Sequence, residues 1–190
     1  MTYAGFWRRF GAFWLDFLVL LPLSAINLWG IAHYRLFLAY SFLPGTAFGF
    51  FYSVYLVRRY GGTPGKLMAG LRIRKINGAE IGYREAILRY LPEWLLGLPG
   101  SIALIAATVA MSDADYSALP GVAVKDLTAV MPRWQHYTSI AFQIWIWSEF
   151  VVMMTNRKRR AIHDFIARTI VIVERRGNSI AAPTSASDRA

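Results

Sequence analysis

Cysteine is absent from this chain, and acidic residues are scarce: 11 Asp and Glu among 190 residues, against 21 Lys and Arg. The first absence removes disulfides, thiol nucleophiles and cysteine metal sites, and leaves the compartment open. The second gives a net charge of +10, although charged residues make up only 17% of the chain. Histidine is rarer still. His33, His136 and His163 lie far apart, with no His-x-x-x-His pair and no carboxylate spaced to complete a metal triad, so no metal is expected. Ser24, Ser41, Ser101 and Ser148 have no partner base at a defined spacing, so the chain is not expected to be an enzyme. No internal repeat is evident, which removes the inverted-repeat transporter within one chain. Nor is there a nucleotide loop. Gly61-Gly62-Thr63-Pro64-Gly65-Lys66 puts Tyr60 where that motif needs glycine, and Leu67 where it needs serine or threonine. No cofactor is implied.

Apolar residues are what the chain has in quantity: 56% hydrophobic and 15% aromatic. Those values are too high for an ordinary soluble domain and fit a polytopic membrane protein. A bilayer crossing needs about 20 apolar residues. Four stretches serve: about 10–32, 36–57, 93–111 and 134–154, the third weakened by Gly97, Pro99 and Gly100. The expected fold is an all-α polytopic membrane protein of four transmembrane helices with a small cytoplasmic β-containing insertion. Arg8 and Arg9 before the first run look like a signal peptide. That run extends to about Gly30 without a small-x-small cleavage site, so it reads as a retained helix.

Charge sets the expected orientation. All but Arg35, Lys125 and Arg133 of the 21 Lys and Arg fall on one side of the four spans, which places both termini in the cytoplasm. The basic residues therefore read as topology rather than nucleic-acid binding, because the aromatics lie in or beside the apolar runs. Aromatics at span ends, Trp7, Trp29, Tyr34, Trp94 and Trp134 among them, read as interface anchors. Arg157-Lys158-Arg159-Arg160, just after the last span, is expected to contact anionic lipid head groups.

The transmembrane domain takes in residues 1–176, with the cytoplasmic insertion at 58–91 and a small, polar tail at 177–190 expected to be disordered. Within the insertion, Thr63-Pro64 reads as the start of a short helix. Leu71-Arg72-Ile73-Arg74 reads as a strand running into Asn77-Gly78, a hairpin signal, with Ala79-Glu80-Ile81 as candidate return strand. Tyr83 to Leu91 reads as an interfacial helix leading into the third span. The run Thr169-Ile170-Val171-Ile172-Val173 lies on the same side and is a candidate third strand. The loop 112–133 carries no motif.

Ionisable residues at membrane depth are costly and are functional candidates by default. Arg9 and Asp16 share a helical face seven residues apart. Their separation along the axis is about 10 Å, too far for a direct ion pair, so each needs another partner. Arg89 or a backbone terminus is the expected partner of Asp16. Asp164 adjoins His163 after the last span, and Glu149 sits inside it beside Ser148 and near Gln143. Two roles are open for these groups: a polar network that locks the helices to the sheet, or a carboxylate that exchanges protons and cations.

Three blocks in order, Arg9-x-x-Ala12-x-x-x-Asp16, Gly62 to Lys66 with Gly70-Leu71-Arg72-Ile73, and His163-Asp164 with Thr169-Ile170-Val171, resemble the RDD family of small bacterial membrane proteins. The family takes its name from one arginine and two aspartates. It differs here in Arg168, where members often have glycine, and in Gly11, where larger apolar residues are common. Many members also have three spans rather than four. The resemblance implies a bacterial inner membrane. It also implies either sodium/proton antiport, described for some members, or a non-enzymatic role as scaffold or regulator of another membrane protein. Asp16 is then the candidate carboxylate for monovalent cations and protons, with Arg9 tuning it. Four helices are few for a transport path, so a homo-oligomer is expected.

Overall fold

The computed structural model describes residues 2–118 and 132–174. The expected disordered tail at 177–190 and most of the loop 112–133 lie outside the described residues.

The first helix, α1, runs Phe6–His33, and Pro22 inside it does not break it. Its 28 residues measure about 42 Å at 1.5 Å each, ample for a hydrocarbon layer of about 30 Å. The chain turns at Tyr34 and returns as α2 (Phe37–Phe50), a π-helical turn (Phe51–Tyr55) and α3 (Leu56–Tyr60). Gly61, with φ 78°, ends this rod in the left-handed conformation, its N–H reaching back to the Val57 carbonyl. Next come α4 (Pro64–Met68), with proline at its start as expected, and β1 (Leu71–Lys75). Helix α5 is a single rod from Tyr83 to Ala110, so the interfacial helix and third span of the sequence reading are continuous. Glu85 fixes its start by accepting the Gly82 N–H at 2.6 Å. The remaining elements are α6 (Asp113–Ala118), α7 (Arg133–Thr155), α8 (Ile162–Ile166) and β2 (Thr169–Val173).

Three helical segments among the described residues are long and apolar enough to cross a membrane: Phe6–His33, Phe37–Met68 and Tyr83–Ala110. The fourth expected span folds as the 23-residue helix α7, which is not among the three, since Gln143, Glu149 and three tryptophans lower its hydropathy.

The sheet differs from the expected hairpin. The Asn77-Gly78 turn forms, with Gly78 at φ 84° and Asn77 Oδ1 accepting the Ala79 N–H, but Ala79 to Ile81 is not a strand. The expected third strand, β2, takes the place beside β1, antiparallel, in register from Leu71↔Val173 to Lys75↔Thr169. Its unbroken β-branched run packs both faces better than Ala-Glu-Ile can. The N-terminus joins the far edge of β2 through the Tyr3↔Ile172 bridge and the bond from the Ala4 N–H to the Val171 carbonyl.

The larger buried core lies at this end. Leu71, Ile73 and Val171 of the sheet pack with Ala4 and Ala12 of the N-terminal region, Val54, Val57 and Ala86. At the other end, Ile31 and Tyr116 form a small cluster. There Arg35 pairs with Asp113 at 2.6 Å and donates to the Thr108, Val109 and Met111 carbonyls, satisfying the open end of α5.

Candidate functional site

Asp164 is completely buried, and two guanidinium groups converge on it from different helices. Arg9 of α1 reaches Oδ2 at 2.7 Å, and Arg89 of α5 reaches Oδ1. Thr169 donates to Oδ1 and is itself a partner of Arg89 at 2.5 Å, while the Ala161 N–H donates to Oδ2 at 3.0 Å. Burial alone would raise this carboxyl, but the charges of Arg89, His163 and Arg9 outweigh it and hold the group well below the usual carboxylate range. One carboxylate therefore joins α1, α5, α8 and the start of β2.

Around it lies a second ring of contacts. Arg160 donates to the carbonyls of Thr169 and Asp164 and stacks over the Phe165 ring at 4.0 Å. His163 faces two acids: Nδ1 is 2.6 Å from Glu149 Oε2, and Nε2 is 3.6 Å from Asp164. Its backbone N–H donates to Glu149 Oε1, which ties α8 to α7. Arg9 Nε and Nη2 are buried with no partner among the described residues.

Asp16 forms a separate centre. Its carboxylate accepts from the Tyr52 hydroxyl at 2.5 Å, the Thr63 hydroxyl at 2.6 Å and the Gly65 N–H at 2.7 Å. Lys66 in turn donates to the Thr63 oxygen at 3.3 Å, giving a relay Lys66–Thr63–Asp16. Tyr52 stands on the π-helical turn, and Thr63, Pro64 and Gly65 bring the start of α4 against α1. Only glycine fits at 65, because a Cβ there would overlap the backbone of Asp16 and Ala12.

Arg9 and Asp16 thus do not pair with each other, as their spacing requires. Arg89 goes to Asp164 rather than Asp16, and it is the backbone start of α4 that reaches Asp16. The six candidate residues fall into one five-membered network of Arg9, Arg89, Glu149, His163 and Asp164, with Asp16 apart. The basic cluster divides too. Arg157, Lys158 and Arg159 are exposed, whereas Arg160 turns inward to brace the network. Among the described residues no group of three His, Asp or Glu converges in a way that would hold a metal ion.

A model of the RDD family matches residues 3–168, a span that takes in all six of these side chains. The chain belongs to the RDD family. No curated protein and no solved structure matches it.

Sequence reasoning missed one feature of this RDD protein. A cavity of about 370 Å3 lies between α1, α2, α5 and α7, and Glu93 lines it together with Asn27, Ser41, Thr46 and Ser101. Glu93 has no hydrogen-bond or ion-pair partner among the described residues. Its acid had been absorbed into the beginning of the third apolar run. The signal was there: Glu93, Gly97 and Ser101 recur every fourth residue and so share one helical face.

Proposed function

We propose that this RDD protein exchanges protons for monovalent cations across the membrane, with Glu93 as the exchanging carboxylate. The observation that carries this reading is the cavity. From Tyr90 to Ile105 its α5 wall is about 22 Å long at 1.5 Å per residue, most of a hydrocarbon layer of about 30 Å. A carboxylate facing such a groove, with hydroxyls and an amide beside it, offers the oxygen ligands that hard cations take, and it binds either a proton or a cation. Phe142 of α7 lines the same groove, so we read α7 as a fourth span. The charge asymmetry then puts both termini on the cytoplasmic side of a bacterial inner membrane. Within this scheme the Asp164 and Asp16 networks are the rigid frame. Asp16, the carboxylate favoured by its position in the sequence, has three donors on it and better suits holding α4 to α1.

The test is proton movement in vesicles of purified protein given sodium, potassium or lithium pulses. Exchange in the wild type that disappears in a folded Glu93→Gln variant supports the reading. Exchange that survives Glu93→Gln and is lost in a folded Asp16→Asn returns the role to Asp16. No exchange above empty vesicles removes transport. The saturation of Asp16 and Asp164 favours a second reading in that event, a non-enzymatic scaffold or regulator of another membrane protein. Its measure is a membrane partner that co-purifies with the wild type and is lost on disrupting either network.

A further inference from the structure

We propose a binding site for the phosphate of an anionic phospholipid in the cleft between the start of α1 and the turn that follows α7. The cleft has a volume of about 530 Å3 and is walled by Tyr3, Gly5, Trp7, Arg8 and Arg159 among others, with no carboxylate in its lining. Several basic side chains close to the networks have a defined partner: Arg9 and Arg89 with Asp164, Arg160 with two carbonyls, Lys66 with Thr63, Arg72 with Glu174. Arg8 and Arg159 have neither an ion pair nor a side-chain hydrogen bond among the described residues, and both are exposed. Two guanidinium groups at one cleft, without an acid between them, repel each other unless an anion joins them.

The backbone delivers Arg159 to this place. The side chain of Asn156 accepts the Arg160 N–H at 2.8 Å and donates to the Arg160 carbonyl at 2.7 Å, closing a tight turn. Inside that turn Arg159 has φ 49°, in the left-handed region that residues with a side chain seldom occupy. Its guanidinium lies against Gly5, where a Cβ would collide with Nη1. Trp7 beside it is 78% exposed. It stands at the first turn of a membrane-crossing helix, the level at which tryptophan meets lipid head groups. Paired guanidinium groups suit a phosphate, which accepts several N–H bonds at once, and the tryptophan suits the glycerol and upper acyl chain below it. The chemistry alone would also take inorganic phosphate. The exposed tryptophan at the first turn of a membrane-crossing helix selects the lipid. The site is independent of any exchange at Glu93.

The experiment titrates the full chain in neutral detergent with short-chain phosphatidylglycerol, short-chain phosphatidylcholine and inorganic phosphate in separate arms. Wild type is compared with Arg8→Gln, Arg159→Gln, the double variant, Gly5→Ala, and an Arg157→Gln/Lys158→Gln control. The expected result is preference for phosphatidylglycerol, weakened roughly fivefold by each single arginine change and about 25-fold by both. Gly5→Ala, which displaces Arg159, is expected to weaken it like Arg159→Gln, with the control close to wild type and circular dichroism unchanged throughout. Equal losses in the control variant would reduce the effect to general surface charge and overturn the site. Occupancy by inorganic phosphate without preference for phosphatidylglycerol would overturn the assignment to lipid.

Discussion

The two ends of this bundle are held together in opposite ways. At the basic end, three helices and the start of β2 meet around one buried carboxylate, and the larger apolar core lies at the same end. At the other end, among the described residues, a small cluster around Ile31 and Tyr116 and the Arg35–Asp113 ion pair join the helices, and between the ends lies an open groove with a few polar side chains in its wall. Lipid tails are as apolar as leucine, so burying leucine against leucine does little to join helices within a bilayer. Where water is present, burying apolar side chains is favourable again, and the chain concentrates its apolar core and its buried ion pairs at the basic end. The membrane-embedded half is left free to keep a gap.

The sharpest way to break that contrast is Asp164→Asn. It leaves Arg9 and Arg89 buried without a counter-charge, and a loss of about 3–5 kcal/mol is expected from denaturant unfolding in mixed micelles, or failure to accumulate in the membrane. The carboxyl is held below its usual range in the fold, so its contribution is present above about pH 4 and is lost as the pH falls lower. The stability gap between wild type and Asp164→Asn should be flat from about pH 8 to 5 and narrow below about pH 4. A gap that instead narrows on going from pH 5 to 8 would contradict the ion-pair assignment.

Gly65→Ala should rank next. Backbone, rather than a flexible side chain, stands where the methyl would go, so α4 must lift from α1 at a cost of about 1–3 kcal/mol in the same unfolding measurement. Tyr52→Phe removes one of three donors to Asp16 and should cost about 1.5 kcal/mol, with the spectroscopic helix content unchanged. The smallest effect belongs to the groove. Glu93→Gln should change stability by less than about 0.5 kcal/mol, since the side chain has no partner to lose. A loss of 2 kcal/mol there would mean that the groove is packed as tightly as the basic end.

The same contrast explains what could be read from the chain and what could not. The three long apolar runs, the turn at Gly61 to Pro64 and the strand Thr169 to Val173 all rest on local patterns, and all are found. The return strand at Ala79 to Ile81 failed because a competitor about a hundred residues away carries a stronger β-branched run, which no local pattern reveals. Arg9 and Asp16 were recognisable from their cost in a membrane. Their partners were not, since Asp164 lies 155 residues from Arg9 in sequence. The π-helical turn that positions Tyr52 left no recognisable mark in Phe51-Tyr52-Ser53-Val54-Tyr55. Glu93 shows a different limit: a span assigned by mean hydropathy hides an acidic residue at its start, which lines the groove in the fold.

The strand that completes the sheet also has a consequence for how the molecule is made. A ribosome delivers Arg9 first, Arg89 midway and Asp164 with β2 near the end, so during synthesis two arginines wait for a counter-charge that has not yet been translated. Until Thr169 to Val173 emerges, the N-terminal residues have no strand to join either. A chain interrupted before that point would carry unpaired arginines and a bare strand edge, both recognisable marks of an unfinished protein. The segment from Asp164 to Val173 thus acts as a seal, joining side chains and an N-terminal edge that were made long before it.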